Sequence, residues 1–332
     1  MLLENKKGSV LILAIWTTFF LSTLSIILGY NIRTKLHLMR HIEKLNCSYY
    51  LHQIAVKKAI AEILRFKKSG CIFLSNKNDI NLFEENEVNF CDVPNIIHKT
   101  QIYNNLKHYY GVFDEERKIN INIASESLLK RLFQVILGID LVEAQELAAS
   151  IIDWKDDDSF LSIPFGSAED NYYKTLQFSY EAKDKQFEVL DELLLVKGIN
   201  IDYFEKIKKF VTIYGDGKIN INTAPKEILL AIGLSENIVN KLIEFRNGKD
   251  GLEGTSDDNI FSTYNEIIPI LKNSALFTEE ELLHLTVAAE QYFKVNSEFF
   301  IVKSYVFEQD KIISAAYFII NLDGKILYQR QV

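Results

Sequence analysis

The stretch SVLILAIWTTFFLSTLSIILGY, Ser9 to Tyr30, runs for 22 residues without a charge. As a helix rising 1.5 Å per residue it spans about 33 Å, enough to cross the apolar core of a bilayer. Lys6 and Lys7 stand just before it, and the preference of positive charge for the cytoplasmic side sets the N-terminus there. Arg33, Lys35 and Arg40 on the far side dilute that signal. The run is too long for the apolar part of a secretory signal peptide, and no small-x-small cleavage site follows it. Beyond it Ile32, Leu36, Met39, Ile42, Leu45 and Tyr49 recur at three- and four-residue steps, with no proline before Pro94. The pattern predicts one helix from the membrane to about Phe66, apolar all round at first and striped afterwards.

The body is mixed. Residues 67–100 read as loop, broken by KKSG, SNKNDIN and EENEVN. YYGVFDEERKININ reads as extended, with a turn at Asp114–Arg117. At the C-terminus FFIVKSYVF, KIISAAYFIIN and KILYQRQ read as a three-strand meander, turning near Glu308–Lys311 and at Asp323–Gly324. Helical periodicity dominates residues 120 to 290 between them. The phrase KININ occurs there twice, at Lys118 and Lys218, each time running into a helical pattern. Asn122, Ser125, Asn222 and Thr223 are N-cap residue types, and Pro225 suits a first helical turn. Gly138, Gly198 and Gly233 each precede an apolar residue and a helix, so the segment reads as a helix-hairpin-helix-like or sterile-alpha-motif-like repeat.

Hairpins of this kind often hold a nucleic-acid phosphate on backbone amides. That chemistry wants a Gly-x-Gly turn with Lys or Arg beside it. Each hairpin here has a single glycine, with Asp140, Glu143, Glu146 and Glu236 on the flanks, and the chain carries a net charge of −8. Lys206, Lys208 and Lys209 form the best basic cluster, and a run of charge on a helix is ordinarily its solvated face. A packing role is favoured, and a membrane-anchored helix-hairpin-helix DNA-binding protein is the alternative.

Two acidic stretches interrupt the helices. IIDWKDDDSFLSIPFGSAEDNYY holds Asp153, Asp156, Asp157, Asp158, Glu169 and Asp170, and NGKDGLEGTSDDNIF holds Asp250, Glu253, Asp257 and Asp258 among three glycines. Carboxylates on glycine-rich loops suit a hard cation such as calcium, but neither stretch has the EF-hand spacing. A calcium site and a solvated acidic loop both remain open. No GxSxG, HExxH, phosphate-binding glycine loop or CxxC occurs, so no enzyme is expected. Cys71 and Cys91 could pair in an oxidising periplasm, leaving Cys47 over, or all three could stay free thiols.

The N-terminus resembles that of type IV prepilins: a short basic leader ending in Gly8, then Ser9, then an unbroken apolar helix. The whole chain resembles the general secretion pathway protein K family, the large minor pseudopilins of bacterial type II secretion systems. The residues that carry the resemblance are the leader, IIDWKDDDS with FGSAEDNYY, FEVLDELLLVKGI, and KININTAPKEILLAIGL followed by IEFR. GSAED departs from the family's GAED by one inserted residue, and Leu13 stands where most pseudopilins have a glutamate that this family lacks.

The resemblance implies an α+β fold, a pilin-like long N-terminal transmembrane helix on a small antiparallel sheet, with a large helical repeat domain inserted. The implied divisions are a leader at 1–8, the membrane part of the helix at 9–30, the first part of the core at 31–118, the insert at 119–290 and the closing strands at 291–332. It implies cleavage between Gly8 and Ser9 by a prepilin peptidase, methylation of the new terminus, and a single-pass inner-membrane protein with a periplasmic body. The implied place is the pseudopilus tip, where such a subunit helps initiate and cap assembly. Other minor pseudopilins, the inner-membrane assembly platform and the lipid bilayer would be partners, and nucleic acid would not. It also implies structural calcium in the helical domain, on Asp156, Asp158, Glu169 and Asp170, with Asp250, Asp257 and Asp258 as a weaker second set.

Overall fold

The computed structural model describes residues 6–69, 96–103, 106–164, 166–251, 253, 257–309 and 311–332. The expected pairing of Cys71 with Cys91 lies outside them, as do residues 1–5 of the leader. The chain divides into two compact units, one ending at Ile54 and the other beginning at Ala55.

The first unit belongs to helix α1, Lys6–Ser69, which contains Gly8 and Ser9 in its first turns. From Val10 to Tyr30 its apolar side chains are exposed on every side, Leu13, Trp16 and Phe20 among them. Five hydroxyls in that stretch turn inward: those of Thr17, Thr18, Ser22, Thr23 and Ser25 donate to carbonyls three or four residues back, at 2.8–2.9 Å. Each polar group is thus satisfied within the helix, as hydrocarbon surroundings require.

The second unit opens on the last turns of α1. It continues with strands β1, Ile96–Tyr103, and β2, Leu106–Asp114, and then a 3-10 turn at Glu115–Arg117. The inserted segment follows with β3 (Ile119–Asn120), α2 (Glu126–Leu137), α3 (Leu141–Lys155), α4 (Asp170–Tyr173), a 3-10 stretch at Leu190–Leu195 and α5 (Ile201–Ile207). It goes on through β4 (Val211–Thr212), β5 (Ile219–Asn220), α6 (Lys226–Ala231), α7 (Glu236–Arg246), α8 (Ile267–Asn273), α9 (Glu279–Tyr292) and β6 (Phe293–Lys294). Strands β7 (Phe299–Glu308), β8 (Lys311–Asn321) and β9 (Ile326–Gln331) close the chain.

The large sheet has the order β1-β2-β7-β8-β9, antiparallel throughout. Ala55, Val56, Ala59 and Ile63 of α1 pack on Tyr110, Val112, Phe300, Val302, Ala316, Phe318 and Ile320 of the sheet. These four small or β-branched positions, at successive steps of one, three and four residues, let the helix lie close to the strands. A separate and larger core fills the insert and runs from Ile119 to Val295, five residues past the expected boundary.

The closing meander matches expectation, and β1 does not. Residues 96–100 were expected as loop but pair with β2 from Ile96↔Val112 onward. The N-cap expectations divide. Ser125 caps α2 by accepting from the Leu128 amide, whereas Asn122, Asn222 and Thr223 are engaged elsewhere and Pro225 occupies the cap position itself. The third hairpin copy opens on a 3-10 stretch instead of an α-helix before Gly198.

Candidate functional site

The two KININ phrases build one frame twice. In the first, β3 pairs in parallel with β4 (Ile119↔Val211); in the second, β5 pairs in parallel with β6 (Ile219↔Phe293). Asn120 and Asn220 each accept, at 3.0 Å, from the amide two residues on, which turns the chain out of the strand. The side chain of Asn122 then donates to the Phe187 carbonyl (3.0 Å) and accepts from the Phe187 amide (2.8 Å). Asn222 does the same with Phe261 (3.0 and 2.9 Å), and donates also to the Val295 carbonyl. An asparagine amide offers a donor and an acceptor side by side, so it can pair with both halves of one backbone residue.

A cation completes each frame. Lys155, the last residue of α3, donates to the carbonyls of Ile121 (2.9 Å), Asn122 (3.0 Å) and Ala124 (3.5 Å). Arg246, the last residue of α7, donates to those of Ile221 and Ala224, both at 2.8 Å. Burial pulls Lys155 down to about 8, against the opposing pull of Asp156, and pulls Arg246 down to about 10. Asp156, Asp157 and Asp158 of the first acidic stretch follow Lys155 directly, and the second stretch begins directly after Arg246.

In the first stretch, one carboxylate oxygen from each of Asp156, Asp158 and Glu169 lies within 4.8 Å of the others. Asp156 Oδ1 and Glu169 Oε1 are buried without a hydrogen-bond partner. Burial first, then repulsion from Asp153 and neighbouring carboxylates, raises Glu169 from 4.5 to about 7. Burial, followed by Asp158, Asp153, Asp157 and Asp184, raises Asp156 from 3.8 to about 6. The neighbouring Lys155 is spent on backbone carbonyls. Concentrated negative charge and two orphaned buried oxygens fit a hard cation with all-oxygen ligation, and no nitrogen or sulfur stands among the three to suit zinc.

Asp170 is held apart from this group: its Oδ1 accepts from the Ala182 amide and its Oδ2 from Lys174, both at 2.8 Å. Asp153 and Asp184, which no motif singles out as ligands, take part in the field. Asp153 is fully buried and its carboxylate fixes the loop by accepting from the Ser162 amide at 3.0 Å.

The second stretch is built differently. Asp257 Oδ2 accepts from the amides of Lys249 (2.9 Å) and Asp250 (3.1 Å), folding the loop on itself. Gly248 has φ +63°, and a Cβ there would stand 2.3 Å from the Asp257 carbonyl oxygen, so only glycine fits. Asn247 Oδ1 and Glu253 Oε1 are buried without hydrogen bonds, and Arg117 approaches Glu253 at 4.0 Å. Asp250, Asp257 and Asp258 do not join a convergent carboxylate group among the described residues.

The hairpin tips carry acidic and apolar groups, Asp140, Leu141, Val142 and Glu143 in the first copy. Of the basic cluster, Lys208 is paired with Glu205 at 2.5 Å and lies over the Phe204 ring. Lys206 and Lys209 are exposed on the same short segment. Nothing in this arrangement supports the DNA-binding alternative.

An N-terminal helix long and apolar enough for a bilayer, a small antiparallel sheet closed by the chain's last strands, and a helical domain set between β2 and β7 define a pilin-like protein with an insert. By sequence, residues 104–216 match the family model for type II secretion system (T2SS), protein K. The type II secretion system protein K of Aeromonas hydrophila is 32% identical over 114 residues, 33% of each chain. That of Pseudomonas aeruginosa is 30% identical over 146 residues, 42% of each. The matched stretch therefore spans well under half the length of these relatives. A chain of the crystal structure of the GspK-GspI-GspJ complex from enterotoxigenic Escherichia coli shares the fold, with a TM-score of 0.57 at 15% identity. The match covers 91% of this chain and 99% of that one.

Proposed function

We propose that this protein is a minor pseudopilin of a type II secretion system, seated at the tip of the pseudopilus, where it helps initiate and cap assembly. The observation that carries the reading is the family match across the point where the sheet gives way to the insert, in a chain with one apolar N-terminal helix. In this role the helix is drawn from the membrane into a filament, and the insert adds bulk that blocks further subunits above it. Leu13 suits that place. A carboxylate in lipid is costly unless it meets a partner charge, and a tip subunit has no neighbour above to supply one. The N-terminus lies in the cytoplasm and the body in the periplasm, with the bilayer and the assembly platform as its surroundings. The relative's structure is titled as a complex of three such components, which supports other minor pseudopilins as partners here.

Maturation follows from the same reading: a prepilin peptidase cuts between Gly8 and Ser9, and the new terminus is methylated. Co-expression with the peptidase should yield an intact mass lacking MLLENKKG and carrying one methyl group. An uncut chain in the presence of active peptidase would overturn the assignment.

Asp156, Asp158 and Glu169 hold a structural calcium ion in this reading. Glu169 and Asp156 supply the buried oxygens and Asp158 the solvent-side one, with backbone carbonyls and water completing the shell. Asp170 positions the loop from outside. A weaker second site on the loop of Asp250, Asp257 and Asp258 would draw on Asn247 and Glu253, whose buried oxygens lack hydrogen bonds.

A further inference from the structure

We propose that the tip of the α2–α3 hairpin docks a basic, amphipathic segment of a partner protein. The two repeats share an anchor at both ends: α2 and α6 each start four residues after the paired asparagine, and Lys155 and Arg246 end the second helices. Between those anchors the first copy is longer. Helix α2 has 12 residues against 6 in α6, and α3 has 15 against 11 in α7. At 1.5 Å per residue the first hairpin reaches about 6–9 Å farther from its frame.

The extra reach ends in side chains that differ in kind from their counterparts. After the caps Asp140 and Ser235, the first copy places Leu141 and Val142 where the second has Glu236 and Asn237. Glu236 is paired with Lys226 at 2.8 Å, and Asn237 donates to Glu281 at 2.6 Å, so the second tip is closed by its own chain. Leu141 is 54% exposed and Val142 is 65% exposed. Tyr203 donates to Glu143 at 2.8 Å and ties the start of α5 to that of α3, where Ile201 is 58% exposed. Apolar exposure at a projecting tip, where an otherwise equivalent tip is polar and paired, marks a contact surface.

The charge around it selects the occupant. No Lys or Arg occurs between Arg131 and Lys155, while Asp140 caps α3 and Glu143 and Glu146 lie along it. Asp202 stands in the first turn of α5, whose lysines (Lys206, Lys208, Lys209) are gathered at its other end. A polyanion or an anionic lipid surface would be repelled. A second copy of the chain would bring the same acidic rim against itself. A segment with an apolar stripe flanked by Lys or Arg meets both features.

The test uses the full chain in nanodiscs of zwitterionic lipid, with empty nanodiscs as reference, and a fluorescent designed Leu/Lys amphipathic helix as probe. The double substitution L141E/V142N transplants the second copy's residues onto the first tip, and D202K reverses one rim charge. Both are exposed positions, and unchanged melting of each variant confirms the fold. Saturable binding to the native chain, weakened at least about ten-fold by L141E/V142N and clearly by D202K, is the expected result. Equal binding by native and L141E/V142N chains, or equal binding of a Leu/Glu helix or of anionic vesicles, would overturn it.

Discussion

The first and second halves of the insert begin with the same five residues and use them for the same purpose, yet they end in different chemistry. In both, a two-residue parallel ladder, an asparagine gripping one backbone residue and a cation from the second helix fix the start of the unit. After the cation the copies part. The first gathers three carboxylates with two orphaned oxygens, and the second folds an aspartate back onto its own amides around Gly248. The frame is the part the fold needs twice, and the loops beyond it are free to specialise.

The sharpest way to break this comparison is to remove the cations. Arg246→Ala strips a buried guanidinium and two carbonyl bonds and should cost about 3 kcal/mol or more. Lys155→Ala, at a less buried site, should cost about 2 kcal/mol. Denaturant unfolding of the full chain measures both, and near-neutral effects would mean the frames are incidental. Comparable to Lys155→Ala are the asparagines: Asn222→Ala loses three bonds and should destabilise by about 2 kcal/mol, ahead of Asn122→Ala, which loses two.

A third comparison separates the loops. Calcium at a hundredfold excess over its Kd should stabilise the native chain by about 2.7 kcal/mol. Glu169→Gln should abolish most of that gain while raising the melting temperature of the calcium-free chain, because it removes a buried charge without a partner. Asp257→Asn should lower stability modestly and leave the main calcium response in place. Unchanged melting on chelation would sink the calcium assignment.

The smallest effect is in pH. Glu169 and Asp156 hold protons more tightly folded than unfolded, so the calcium-free fold is favoured below about pH 4. That contribution is lost as pH rises through the folded values of about 6 and about 7. Saturating calcium should flatten the slope, and a calcium-free stability that rises over this window would contradict the picture.

Much of this was legible in the sequence because it follows from local periodicity. The uncharged run, the striped continuation (expected to about Phe66, observed to Ser69) and the meander around Asp323–Gly324 each declare themselves within a few residues. The role of KININ did not. Asn122 and Asn222 look like helix caps, but their partners, Phe187 and Phe261, lie 65 and 39 residues away, and no local pattern points to them. The leading lysines diverge for the same reason: Lys118 pairs with Glu115, whereas Lys218 donates to the carbonyls of Glu290 and Gln291 that end α9. The acidic stretch announced its ligand types, while the exclusion of Asp170 depended on Lys174 and the Ala182 amide claiming it first.

The point where the insert leaves and rejoins the sheet bears on how the chain folds. Asp114, at the end of β2, accepts from Asn220, Thr223 and Ser297 at 2.9, 2.6 and 2.7 Å, and Lys294 and the Glu298 amide meet Glu116 beside it. Residues 183 apart in sequence thus stand in contact. As an open loop, that stretch would make the pairing of β2 with β7 a slow, long-range search. A folded insert shortens it to something close to a hairpin turn. The order of events should then be insert first and sheet second, with β7, β8 and β9 docking last.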